Sequence, residues 1–310
     1  MNYKRKLAVL SLLISILAVI YILSFIIDPA RQEEKVFAWL DVRDDSLVSR
    51  IDVTGMYGTV ILIRSNDEWF LYTESQNYPV RQQRVKDLLY ELSRRAAHSP
   101  RGNSGVARET FGLSPDTASR IVVRGGAGLP LLDLFIGNSG ALGSEVYMAR
   151  SDDRKIFSAV DRFSRYTDSD PRAWLDLRLL QSRNVSSAMI QQVEIMLPSD
   201  FYSAPYSFRR SGNGWIVVGN ENVSLNNPLV ESWLEFLLEA RAEDFEHEAP
   251  FIVEGSFTLY SGDGTNVRIQ IGESDEHGAR LALVSDTPFV YVLSPWTFER
   301  ILREIDYFKL

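Results

Sequence analysis

The chain has 310 residues, 45% of them apolar and 24% charged, with no cysteine and a formal net charge of −8. That balance is ordinary for globular material and speaks against nucleic acid or anionic lipid headgroups as partners, which need clustered Lys and Arg. The absence of cysteine excludes disulfides and thiolate chemistry and fits an exported bacterial protein.

Residues 1–6 form a short basic head, with Lys4, Arg5 and Lys6 at its end. Leu7–Ile27 follows as an apolar run without a charge. At about 1.5 Å per residue it matches the roughly 30 Å hydrocarbon core of a bilayer, so the run predicts a transmembrane helix over 7–27. Asp28, Glu33 and Glu34 lie beyond it, with Arg31. The basic side is expected to stay cytoplasmic and the body to sit outside the cytoplasmic membrane, in single-pass topology. The alternative is a cleaved signal peptide, which has a shorter apolar region and small residues at its cleavage site. Ile26-Ile27-Asp28-Pro29-Ala30 does not fit that pattern. Residues 28–48 read as a charged stalk.

The body reads as two copies of one pattern, 49–182 and 183–310. Copy one opens with an alternating strand at Ser49–Val53, a second at Thr59–Arg64, a polar turn at Ser65–Glu68 and a strand from Trp69. Val85, Leu88, Leu89, Leu92 and Ala96 then share one helix face. Copy two repeats the order with Val193–Leu197, Tyr206–Arg210, a turn at Ser211–Gly214 and a strand from Trp215. Asn227 reads as a helix N-cap and Pro228 as the first helical residue, ahead of Val230, Trp233, Leu234 and Leu237.

The later parts also match. Ile121–Gly128 parallels Phe257–Gly264, each a strand running into a glycine turn. Each is followed by an apolar strand ending in Ile-Gly, Ile136-Gly137 and Ile271-Gly272. Two further strands follow in each copy, and then a closing helix, after Asp161 in one and from Ser294 in the other. Pro171 predicts a short helix where the copies join. The expected fold is α+β: antiparallel sheets with covering helices in two tandem repeats.

Chemistry is hard to find. His98, His247 and His277 are isolated from one another, and Asp275-Glu276-His277 reads as a solvated turn. Gly137-Asn138-Ser139-Gly140 lacks the spacing of a nucleophile elbow, and Gly125–Gly128 leads into a strand rather than a phosphate-binding helix. Asp44-Asp45 and Asp152-Asp153 fall in expected loops. Trp69 and Trp215 read as strand packing rather than a ligand platform. The sequons at Asn184 and Asn222 are short enough to arise by chance. No catalytic, cofactor-binding or metal-binding residue and no cofactor is assigned.

The anchor, the strand–turn–Trp69 element, the helix from Val85, Phe111-Gly112-Leu113-Ser114-Pro115, Ile136-Gly137, Val146–Arg150 and Trp174–Arg178 together resemble the domain of unknown function 4340 family. The resemblance is clearest over 49–182. It implies a bacterial envelope protein, often associated with ABC transporters of the gliding-motility type, and brings no catalytic residues. The expected function is a non-enzymatic, membrane-anchored accessory or scaffold protein of an envelope complex, with membrane-protein partners. The competing readings are an exported ligand-binding or kinase-regulating sensor and, less favoured, an envelope hydrolase.

Overall fold

The structure is a computed structural model that describes residues 34–310 apart from 43, 142, 181–185, 202–203 and 247–250, together with 14–17 and 19. The transmembrane helix expected over 7–27 falls almost wholly outside the described residues. Among the described residues no helix is long and apolar enough to cross a membrane, so the fold as described contains no such span. The chain divides into two compact units, Met1–Trp174 and Leu175–Leu310.

Unit 1 contains β1 (Lys35–Phe37), β2 (Val48–Gly55), β3 (Gly58–Ser65), β4 (Glu68–Tyr72), β5 (Asn77–Pro79), α1 (Gln82–Ser93), β6 (Ala96–Gly102), α2 (Gly105–Thr110), β7 (Ser119–Gly125), β8 (Pro130–Ser139), β9 (Glu145–Arg150) and β10 (Ile156–Val160). Its strands form one antiparallel sheet in the order β1-β6-β10-β9-β8-β7-β2-β3-β4-β5. The β3–β4 hairpin turns on Asn66 and Asp67, which both take positive φ, as the tightest hairpins require. Lys35–Phe37 lies in the stretch read as a stalk. It pairs with β6, and the following Trp39 and Leu40 are buried.

Unit 2 contains β11 (Ile190–Met196), β12 (Tyr206–Ser211), β13 (Gly214–Val217), α3 (Asn227–Leu238), β14 (Asp244–Glu246), β15 (Val253–Ser261), β16 (Asn266–Ser274), β17 (Arg280–Val284), β18 (Val290–Leu293) and α4 (Pro295–Ile301). Its sheet runs β13-β12-β11-β15-β16-β17-β18-β14. Read from the other edge, this is the order of β6-β10-β9-β8-β7-β2-β3-β4 in unit 1. Unit 1 differs by one short strand added at each edge.

The correspondence extends to irregularities. Both sheets shift register after the first residue of the central strand, between Val48 and Arg50 and between Ile190 and Gln192. Both shift again at the Ile-Gly pairs, between Ile136 and Ser139 and between Ile271 and Ser274. Gly137 is required there, because a Cβ would collide with the carbonyl oxygen of Phe111, which accepts from Asn138 N–H at 2.9 Å.

The expected α+β balance is corrected by this structure, which is mostly β. Among the described residues only α1 and α3 exceed two turns. The closing helix expected after Asp161 is a 3-10 turn, Ser164–Tyr166, and the joining helix at Pro171 is another, Pro171–Ala173. Meanwhile β6 and β14 recruit residues with no alternating pattern, because the growing sheet edge supplies the hydrogen bonds that local propensity does not.

In each unit one sheet face packs under the long helix; in unit 1 part of the opposite face is also covered, by Ala107, Phe111, Leu113 and Ala118 against Phe135, Ala149 and Ile156. The α1 face buries Val85, Leu88, Leu89 and Leu92, and the α3 face buries Val230, Trp233, Leu234 and Leu237. Trp233 lies against Phe208, Phe257 and Phe308, with ring centroids 6.5, 6.2 and 5.2 Å away. Its indole N–H donates to the Ile301 carbonyl at 2.9 Å.

Candidate functional site

The residues singled out in the sequence have structural places. His98 is fully buried in β6, stacked on Phe37 at 4.2 Å and edge-on to Trp39. Burial holds its pKa below the ordinary histidine value. His247 lies outside the described residues. Asp275 caps an exposed turn by accepting from the backbone N–H groups of His277 and Ala279. Among the described residues, no group of three or more His, Asp or Glu side chains is placed to hold a metal ion. Gly126–Gly128 is the 3-10 turn between β7 and β8. Asp44 caps the short 3-10 helix Asp45–Leu47, and Asp152 pairs with Arg150 at 2.9 Å. Asn184 lies outside the described residues, and Asn222 is in the turn before α3.

Trp69 and Trp215 are both buried at a strand start, and each is clamped by the first residue of the following helix. Gln82 Oε1 accepts from Trp69 N–H at 2.8 Å, and Gln82 Nε2 donates to the Trp69 carbonyl. Asn227 Oδ1 accepts from Trp215 N–H at 2.6 Å. Asn227 is therefore not the helix cap that the sequence suggested. The cap is Asn226, whose side chain accepts from Leu229 N–H.

The most developed polar constellation sits on the open face, at the same place in each sheet. In unit 1 Asp52 on β2 stands opposite Ile61 and Val122. In unit 2 Glu194 on β11 stands opposite Ser207 and Thr258. Register makes the two acids equivalent, and it makes Arg50 and Arg124 equivalent to Gln192 and Tyr260. Asp52 is buried and receives Arg50 Nε at 2.5 Å and Arg124 Nε at 3.0 Å. Glu194 is exposed and receives Gln192 Nε2 at 3.0 Å and the Tyr260 hydroxyl at 2.8 Å. The Tyr260 hydroxyl has its pKa raised by that bond. Sequence alone shows the acids but not this pairing, because each triad joins strands far apart in the chain.

The neighbouring row differs more. Arg120 and Asp133 in unit 1 form a two-pronged pair, at 2.7 and 2.6 Å, that pulls the Asp133 pKa below the usual carboxylate range. Their equivalents in unit 2 are Ser256 and Arg268. Ser256, which stands where unit 1 has the bulky Arg120, lines an open groove of about 640 Å³ together with Glu194, Met196, Ser207, Thr258, Tyr260 and Arg268 among others. A second cavity of about 380 Å³ adjoins Arg280. That guanidinium is buried and already committed to Glu254 at 2.7 Å, Gly272 O at 3.0 Å, Asp200 and the ring of Phe298, so it braces the Ile-Gly bulge.

Residues 69–216 match the model of a family described as a domain of unknown function, DUF4340. This stretch of the chain belongs to that family. The matched stretch runs from Trp69 in β4 to Ile216 in β13, so it begins and ends on the equivalent tryptophan strands of the two units. No curated protein and no solved structure matches the chain.

Proposed function

We propose that this DUF4340 chain is a non-enzymatic accessory or scaffold protein of a bacterial envelope complex, with an ABC transporter among its partners. The observation that supports this reading is the doubled sheet. Two units of one topology each pack one sheet face under a long helix and carry braced polar side chains on the other. On these faces the central acids are tied into side-chain braces by neighbouring donors. Such braced carboxylates are held in a fixed orientation, which suits recognition of a partner group. The transporter association is carried by the family resemblance, and the location outside the cytoplasmic membrane by the basic head and apolar run of the sequence. The test is crosslinking in cells followed by purification of the full chain in mild detergent. Recovery of envelope membrane proteins, transporter subunits among them, is expected. Recovery of the chain alone would refute the reading.

A second reading, an exported ligand-binding or kinase-regulating sensor, is favoured by one feature, the groove on the open face of unit 2.

A further inference from the structure

The duplication supplies an internal reference for the open face of unit 2. In unit 1 each charge at the equivalent positions is compensated. Asp52 lies between Arg50 and Arg124, and Asp133 is held by Arg120. In unit 2 the central acid is kept as Glu194, but both flanking arginines are replaced, by Gln192 and Tyr260. These two orient the carboxylate without neutralising it. The second acid is replaced by Arg268, whose guanidinium has no carboxylate partner among the described residues. Between Glu194 and Arg268 stands the small hydroxyl of Thr258, with Ser256 two residues along the same strand; Ser207 lies on the far side of Glu194. Unit 2 thus presents one oriented anion and one cation, each without a counter-charge among the described residues, across a groove in which Thr258 and Ser256 are the side chains between them.

The geometry points to a short zwitterionic peptide as the occupant, with its ammonium group at Glu194 and its carboxylate at Arg268. Glu194, Thr258 and Arg268 lie directly opposite one another on three successive strands. The two charges therefore stand two strand spacings apart, about 10 Å at the backbone. An extended peptide advances about 3.4 Å per residue, so a free peptide of roughly three residues places its terminal charges at that separation. The hydroxyls of Ser256 and Thr258 lie where the intervening peptide groups need partners. A neutral glycan would leave both charges unmatched, and a simple amine or carboxylate would match only one. This inference goes beyond the accessory reading and does not depend on it.

The test is calorimetric titration of the full chain with triglycine, N-acetyl-triglycine, triglycine amide and a neutral trisaccharide. Triglycine is expected to bind, and blocking either terminus is expected to weaken it by about tenfold or more, the cost of one charge-assisted contact. Glu194→Gln is expected to remove the preference for a free ammonium group, and Arg268→Gln the preference for a free carboxylate. Both residues are exposed, and an unchanged melting temperature checks that each variant folds. No triglycine binding, equal binding of the blocked peptides or of the trisaccharide, or binding untouched by both substitutions would each overturn the proposal. Those outcomes leave the crosslinking experiment on the accessory role unaffected.

Discussion

Trp233 gives the sharpest check on the packing of unit 2. Its side chain is buried on α3, surrounded by Phe208, Phe257 and Phe308, and its indole N–H is bonded to the Ile301 carbonyl at the end of α4. Trp233→Phe keeps an aromatic ring there but removes the donor and part of the volume. Leaving a buried carbonyl without its partner costs about 1–3 kcal/mol, and the smaller ring adds about 1 kcal/mol of lost burial and cavity. The sum is about 2–4 kcal/mol, a large fraction of the roughly 5–15 kcal/mol that stabilises a typical domain. Trp233→Ala adds the full truncation, about 3–5 kcal/mol before the orphaned carbonyl is counted, and is expected to unfold unit 2 at ordinary temperature. Urea titration of the full chain, followed by tryptophan fluorescence and far-UV circular dichroism, reads the shift. The midpoint of the unit 2 transition should fall with its slope unchanged. A Trp233→Phe cost below about 0.5 kcal/mol would refute the placement of Trp233 at the α3–α4 seam, because surface substitutions stay within that range.

Other outcomes follow from the same geometry. Asn227→Ala and Gln82→Ala are each expected to cost about 1–2 kcal/mol in denaturant titrations, because each strips the acceptor from a tryptophan N–H at a strand start; a cost confined to one of them would break the equivalence of the two clamps. The Asp133 pKa is depressed by Arg120, so the stability this pair contributes is present above the unfolded value of about 3.9 and is lost as pH falls through the lower folded value. Arg120→Gln should lower stability near neutrality by no more than about 1 kcal/mol, since the arginine is well exposed, and should make the acid limb of a stability–pH curve shallower. His98 is held below its ordinary pKa by burial, so stability should drop as pH falls below about 6.5 toward the folded value, where the unfolded chain binds the proton first. His98→Phe, which preserves a ring against Phe37, should flatten that part of the curve, and a slope identical to the parent's would exclude His98 as its source.

The parts of the fold legible in the sequence are those written in local periodicity. Val85, Leu88, Leu89 and Leu92 answer to Val230, Trp233, Leu234 and Leu237, because a helix buries one stripe wherever it packs. The tryptophan strand starts and the Ile-Gly pairs are legible for a similar reason. A hairpin needs its turn residues, and a bulge under a crossing backbone needs a residue without a Cβ. The family resemblance followed from these same landmarks.

Other features were decided only by tertiary structure. Ala96–Gly102 has neither alternation nor strong β-propensity, and it is a strand because β10 and β1 offer it ladders on both sides. The closing segment after Asp161 had a partner in α4 by sequence order, yet it stops at one 3-10 turn. Asn226 and Asn227 are equally good caps in sequence, and the position of Trp215 assigns one to the helix and the other to the strand. The open-face triads are the fullest case. Sequence by itself determined that an acid stands at Asp52 and at Glu194. Whether that acid meets two arginines, or a glutamine and a tyrosine, depends on which residue of a distant strand lies opposite. Only the register of the folded sheet sets that.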